Sequence, residues 1–410
     1  MQEGQQIELE IAKVVYRGSG LARLDGMVVF VPGCAPGERI RAEVVRIRKN
    51  YAEARLIEVL EASADRTEGC CRLESGVAVP GCVYDHVAYA AEVAIKREQL
   101  LEMVRRLPGC SGVVDEDPFA SPLPLNYRNK ITLHAQRPRG SEAEHSGSAP
   151  WLGYFGDDNR TVVDLPQCPL ARGPINETLT RFRASEAFRN LKHGESITFR
   201  WTSADGVKSW IGEAPSGLML SEHSPAGALK VPAGAFYQVN PEVGYALARQ
   251  VAQWFSEGND GSGDVLDLYC GVGVFGLSCA AGGGVRNLLG VESVASAIEA
   301  AEANATALGL ASNFQCLTVE KAAQRRFGGI DGSSAMAIVD PPRTGLDIKV
   351  AKALVRLGTP RICYVSCDPA TLCRDLQVLL AGGYRVSKLR LFDMFPRTAH
   401  FETAVELTRS

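Results

Sequence analysis

The 410-residue chain has no run of roughly 18 apolar residues, and its start lacks the basic-then-apolar order of a secretory leader. A membrane span is therefore not expected, and the chain is read as cytoplasmic with no membrane partner. Strong charge of either sign is also missing. With a formal net charge of −3 the whole molecule has no bias toward nucleic acid, so such a partner must be met by a local patch. There is no internal repeat, no low-complexity tract and no feature that marks an obligate protein partner. Cysteine, by contrast, is plentiful. Twelve cysteines are scattered from Cys34 to Cys373 without the dense spacing of a small disulfide scaffold. Reduced thiols, a few recruited for a metal or for catalysis, are expected.

The chain changes texture along its length. Residues 7–62 alternate short β-rich runs such as "MVVFVPG" and "RIRAEVVRI" with glycine turns, the pattern of a small antiparallel barrel. Between 38 and 55 lie Arg39, Arg41, Arg46, Arg48, Lys49 and Arg55, interleaved with glutamates and Tyr51. Such a run is most simply a solvated strand face, although basic residues with an aromatic also suit a nucleic-acid groove. A cysteine-bearing loop and a helical stretch, "YAAEVAIKREQLLEMVRRL", follow. Strand patterns then return from about 120 to 235, broken by the polar "RPRGSEAEHSGSAP", expected to be exposed. From about 240, "DVLDLYCG", "LLGVES", "AMAIVDPP" and "RICYVSC" read as strands, with a helix "SVASAIEAAEANATALGL" among them. Strands alternating with helices imply a parallel doubly wound sheet whose ligands sit at the carboxyl ends of the strands.

Three motifs fall at those ends. In "DLYCGVGVFG", Gly271, Gly273 and Gly276 follow a strand, and Glu292 ends the next one. A dinucleotide fits this pattern, with the acid on ribose hydroxyls. Asp267 just before the turn favours another occupant, S-adenosylmethionine, whose sulfonium an acid attracts, whereas an acid would repel a pyrophosphate. In "IVDPPRTGL", two prolines stiffen the exit after Asp340, and Arg343 is placed to meet a phosphate. In "ICYVSCDPATLCRDL", Cys367 stands where a strand ends and a helix begins, and amides at a helix N-terminus favour a thiolate. A thiolate that takes part in proton transfer needs a base, and His400 or Glu402 of "DMFPRTAHFETAVEL" could serve.

Taken together, "GMVVFVPGCAPGE", "YRNK", "FYQVN", "DLYCGVG", "DPPRTGL", "YVSCDPATLCRDL" and "DMFPRTAHFETAVEL" resemble, in order, the RNA 5-methyluridine methyltransferases that carry a TRAM domain, typified by those acting on 23S ribosomal RNA. The resemblance implies an α/β fold in three parts. These are a TRAM or OB-like RNA-binding barrel over 1–63, a central β-rich α+β domain with the cysteine loop over 64–240, and a Rossmann-like methyltransferase domain over 241–410. It implies Cys367 as nucleophile at uracil C6 and Glu402 as base at C5. It places Gln238, Tyr269, Glu292 and Asp340 at S-adenosylmethionine, and suggests Phe395 as a wall for the target base. It also implies a 4Fe-4S cluster on Cys71, Cys82 and Cys168, with Cys70 as a further ligand where Val79 occupies the family's remaining cysteine position. Two more departures are Val274 in place of a donor-contacting asparagine and Asp368 in place of the asparagine after the nucleophile. A carboxylate there would raise the thiol's pKa, so Asp368 is expected to point away or to be paired.

Ribosomal RNA is the expected partner, with tRNA the close alternative. A cytosine-5 methyltransferase would share the thiol chemistry but not the "FYQVN" and "HFE" contexts. A nicotinamide dehydrogenase leaves Cys367 and the barrel idle, and an RNA-binding iron-sulfur protein leaves the C-terminal motifs unexplained.

Overall fold

The computed structural model describes residues 1–73, 76–137, 149–257 and 263–409. Most of "RPRGSEAEHSGSAP" lies outside the described residues. The barrel is built from β1 (Gln6–Glu10), β2 (Lys13–Val14), β3 (Ser19–Leu24), β4 (Met27–Pro32), β5 (Arg39–Ile47) and β6 (Tyr51–Glu61), hydrogen-bonded in the order β1-β5-β6-β4-β3-β2. Strict alternation buries Ile7 and Leu9 of β1 with Val29, Val31, Ile40, Ala42 and Val44. The β3–β4 hairpin closes on Asp25 and Gly26, both at positive φ, which matches the twist of the paired strands. On the outer face, Arg39 pairs with Glu61 and Glu8, Arg41 with Glu58 and Glu8, Arg46 with Glu53 and Arg55 with Glu43. Four of the six basic residues are thus neutralised by cross-strand glutamates, and the solvated face is the reading that fits.

The central region holds β7 (Lys130–Gln136), β8 (Trp151–Phe155), β9 (Val162–Asp164), β10 (Ser196–Thr202) and β11 (Gly206–Ile211) in the antiparallel order β11-β10-β7-β8-β9. A separate hairpin follows, β12 (Met219–Ser224) with β13 (Gly227–Pro232).

The C-terminal sheet contains β14 (Gly263–Leu268), β15 (Val285–Glu292), β16 (Asn313–Cys316), β17 (Ala335–Val339), β18 (Arg361–Ser366), β19 (Tyr384–Phe392) and β20 (Glu402–Arg409), in the order β16-β15-β14-β17-β18-β20-β19. The first five strands run parallel, and β20 and β19 close the edge antiparallel. Successive residues of β14 face opposite sides: Val265 joins one core with Trp254 and Met336, Leu266 the other with Ala337 and Tyr364. Both faces are therefore covered, as a parallel sheet requires.

Part of one cover comes from far upstream in the chain. The helix Tyr89–Val104 places Leu100, Leu101 and Val104 in the core that contains Leu266 and Tyr364. The same helix carries Lys96, which is fully buried and donates to Glu92 Oε1 and Asp393 Oδ1, each at 2.7 Å. Glu92 Oε1 also accepts from the Arg397 amide at 2.7 Å, so the helix grips the segment that leads into β20. An ion pair this deep is tolerable because each charge has several partners.

Candidate active site

Cys367 follows the last residue of β18 and precedes the helix Pro369–Ala381. Asp368 caps that helix: its Oδ1 accepts from the Ala370 and Thr371 amides at 2.9 and 3.0 Å. Such a cap contributes about 1 kcal/mol. Its Oδ2 accepts from the Tyr16 hydroxyl at 3.4 Å. The carboxylate next to the thiol is therefore paired on both oxygens. The half-buried Cys367 thiol is nevertheless pushed up to about 12, by burial first and then by Glu402 and Asp340, with Arg343 opposing.

Glu402 opens β20 and is buried. Burial, and then Asp340, hold its carboxyl well above the ordinary range, again against Arg343. Asp340 follows β17, and burial together with Asp267 raises it to about 7. Pro341 and Pro342 stiffen the exit from β17. Tyr269, at φ 62°, and Gly271 form the turn after β14, and Glu292 ends β15 with its Oε1 held by the Val294 amide at 2.9 Å. Gln238 arrives from the stretch before the helix Pro241–Glu257; a Cβ on Gly244 would lie 2.8 Å from its Cβ, so only glycine lets the glutamine pack there.

Gln238, Tyr269, Glu292, Asp340, Cys367 and Glu402 all line one cleft of about 720 Å³ at the carboxyl edge of the sheet. Phe395 and Arg343 line it as well. Other expected site residues lie elsewhere. Asp267 turns inward, fully buried, and its Oδ2 accepts from the Gly276 amide at 2.9 Å, fixing the start of the helix Val274–Ala281. His400 packs its ring edge-on against Phe395, 6.2 Å between centroids, and does not line the cleft. The Phe236 ring does line it and is 73% exposed, although only its place in "FYQVN" hinted at a role. Thr318 and Glu320 also reach it, from the N-cap and first turn of the helix Val319–Gln324, to which no motif pointed.

The acids of this cleft, Glu292, Glu320, Asp340 and Glu402, face one guanidinium, that of Arg343. Asp340 and Glu402 are held toward their neutral forms, so Glu292 and Glu320 carry the attraction for a cationic ligand, and a pyrophosphate has little to meet there besides Arg343.

The iron-sulfur expectation finds no support in the structure. Cys71, Cys82 and Cys168 are buried in one apolar cluster that includes Val79 and Tyr127. The Tyr154 hydroxyl lies 3.6 Å from Cys168 Sγ, and Cys70 Sγ lies 4.0 Å from Cys71 Sγ. Among the described residues, no group of three or more His, Cys, Asp or Glu side chains is arranged to hold a metal ion. With valine at one ligand position and a phenol against another thiol, these side chains pack as a core. Protein purified without oxygen is expected to carry no stoichiometric iron or acid-labile sulfide; about four of each per chain would restore the cluster.

Among the described residues no helix is long and apolar enough to cross a membrane. The tRNA (Uracil-5-)-methyltransferase family profile matches residues 227–410 and the TRAM domain profile matches residues 1–57, together more than half of the chain. An RNA methyltransferase of Thermosynechococcus vestitus is 28% identical over 463 aligned residues, covering 100% of this chain and 99% of its own. One from Halalkalibacterium halodurans is 29% identical, covering 98% and 96%. Among solved structures, Pyrococcus abyssi tRNA (uracil-54, C5)-methyltransferase in complex with S-adenosyl-L-homocysteine superposes with a TM-score of 0.73 at 23% identity, over 98% of this chain and 100% of its own. The fold thus has a counterpart along nearly the whole chain, which carries a TRAM domain over 1–57 and a tRNA (Uracil-5-)-methyltransferase-family domain over 227–410.

Proposed function

We propose that this chain transfers a methyl group from S-adenosylmethionine to C5 of a uracil in RNA, with Cys367 as nucleophile and Glu402 as base. The convergence of six side chains from separate segments on one acidic cleft carries this reading. Gln238, Tyr269, Glu292 and Asp340 would hold the donor: Glu292 suits ribose hydroxyls, and the acidic lining suits a sulfonium. Bound there, S-adenosylmethionine supplies an electrophilic methyl group to C5.

The chain's own residues make that carbon reactive. Uracil C5 is a poor nucleophile, so Cys367 loses its thiol proton to solvent and adds as the thiolate to C6, and the displaced C5–C6 π electrons form an enolate that is nucleophilic at C5. After methylation Glu402 takes the C5 proton. The C5–C6 double bond re-forms and the S–C6 bond breaks, returning the thiolate. Phe395 and the exposed Phe236 offer apolar faces to a base taken out of its stack, and Arg343 at the rim suits a phosphate.

Ribosomal RNA is the first reading of the substrate, on the strength of the barrel. A tRNA substrate is favoured by one observation: the likeness to the Pyrococcus abyssi tRNA enzyme spans 98% of this chain, barrel included. Transcripts of each RNA labelled with tritium at uracil C5 test both readings. Donor-dependent release from the large-subunit transcript supports the first, release from tRNA alone supports the second, and release from neither overturns the reaction.

A further inference from the structure

Tyr16 belongs to the barrel, in the turn between β2 and β3, yet it lies beside the cleft. The turn is tightly held. Gly18, at φ 90°, donates its amide to Val15 O at 2.9 Å, and a Cβ on it would sit 2.8 Å from Val83 Cγ2. From this turn the Tyr16 ring packs edge-on against Phe401, 6.1 Å between centroids at 73°, and the hydroxyl reaches Asp368 Oδ2 at 3.4 Å. Phe401 immediately precedes Glu402, and Asp368 immediately follows Cys367. One barrel side chain therefore touches the chain neighbour of each member of the reacting pair. Its other side lines a separate cleft of about 850 Å³ on the barrel, with Phe30, Tyr51, Arg17 and Arg55.

We propose that Tyr16 is a positioning residue for uracil methylation: by holding Asp368 with its hydroxyl and Phe401 with its ring, it fixes the Cys367 turn relative to the start of the Glu402 strand. This inference rests on the reading of Cys367 and Glu402 given above. It makes the barrel part of the site's framework. Nucleophile and base come from β18 and β20, which pair antiparallel, but the pairing ends at Ser366 and Thr403, just short of the reacting side chains. Tyr16 bridges that gap. Small errors of placement at such a point are costly to rate.

The two Asp368 oxygens allow the contact to be tested apart from the helix cap. Asp368→Ser keeps a capping oxygen but removes the acceptor for Tyr16; Asp368→Asn keeps the cap and offers an N–H to the same hydroxyl. Tyr16→Phe removes the hydroxyl and leaves the ring on Phe401. On full-length protein, with the transcript from which wild type releases tritium, Tyr16→Phe and Asp368→Ser are each expected to lower kcat about tenfold with the RNA KM within about twofold. The double variant should fall no further than either single, and Asp368→Asn should keep near wild-type kcat. Additive losses, a Tyr16→Phe kcat equal to wild type, a change confined to KM, or Asp368→Asn as slow as Asp368→Ser would each overturn the proposal. Should Tyr16→Phe fold poorly, the contrast between Asp368→Ser and Asp368→Asn carries the same test. Failure of the underlying chemistry is distinguishable, because it shows as release surviving Cys367→Ala.

Discussion

Cys367→Ala is expected to abolish donor-dependent release of C5 tritium, lowering it by at least about 10³-fold, while leaving the fold intact. Cys367 is half-buried at the end of β18, and its removal leaves the Asp368 cap and the Ser366 contacts in place. Loss of stability should be small, which separates a chemical defect from unfolding. The same residue sets the pH response. Its thiol, pushed up to about 12 by burial, Glu402 and Asp340, is protonated at neutral pH, so the wild-type rate should climb as pH rises from about 7 to 9. Raised carboxyls work in the same direction, since Glu402 must be ionised to accept the C5 proton and its pKa also lies high. A flat profile would mean that the thiol is not raised in the working enzyme, and release undiminished in Cys367→Ala would remove Cys367 from the nucleophile's role.

Glu402→Gln should fail at a later step and in a visible way. The amide cannot take the C5 proton, so methylated RNA stays bonded through C6 to Cys367. A covalent protein–RNA band carrying the labelled methyl group is expected on a denaturing gel, with turnover lowered by about 10³-fold or more. The substitution is nearly isosteric, and Glu402 is held toward its neutral form in the folded protein, so stability should change little. Tritium release at the wild-type rate in this variant would assign the base elsewhere. The reverse outcome, no adduct and no release, would mean that Glu402 acts before the C6 bond forms.

Much of this site was legible in the amino-acid order, for reasons that differ residue by residue. Cys367, Asp340 and Glu292 each sit where an apolar strand ends, and the carboxyl edge of a parallel sheet gathers such positions whatever the loops do. The four expected strands of the C-terminal sheet are present, but the short β16 and the edge pair β19 and β20 are not legible. In β19 and β20 the apolar positions mix with Lys388, Arg390 and Glu406, whose partners lie on other elements. Asp267 was misread because adjacency to a turn does not reveal on which side of a strand a carboxyl falls; here it serves the Gly276 amide. The cysteine loop is legible only in part, since matching positions imply ligands when every position can ligate, and here Val79 stands among the cysteines and the Tyr154 hydroxyl lies against Cys168. Tyr16 and Phe236 were illegible because their roles depend on partners far along the chain or on exposure, which no local pattern encodes.

The Lys96 anchor has a consequence for how this molecule comes into being. Lys96 and Asp393 stand 297 positions apart, and Tyr16 and Asp368 stand 352 apart, yet both contacts abut the segments bearing Glu402 and Cys367. Closing loops of that length comes late in folding, after local helices and hairpins have formed. On the ribosome the barrel emerges long before its partner Asp368 is made. The cleft is thus incomplete through nearly all of the chain's synthesis, and an amino-terminal fragment released early would carry the folded barrel without the segments that bear Cys367 and Glu402.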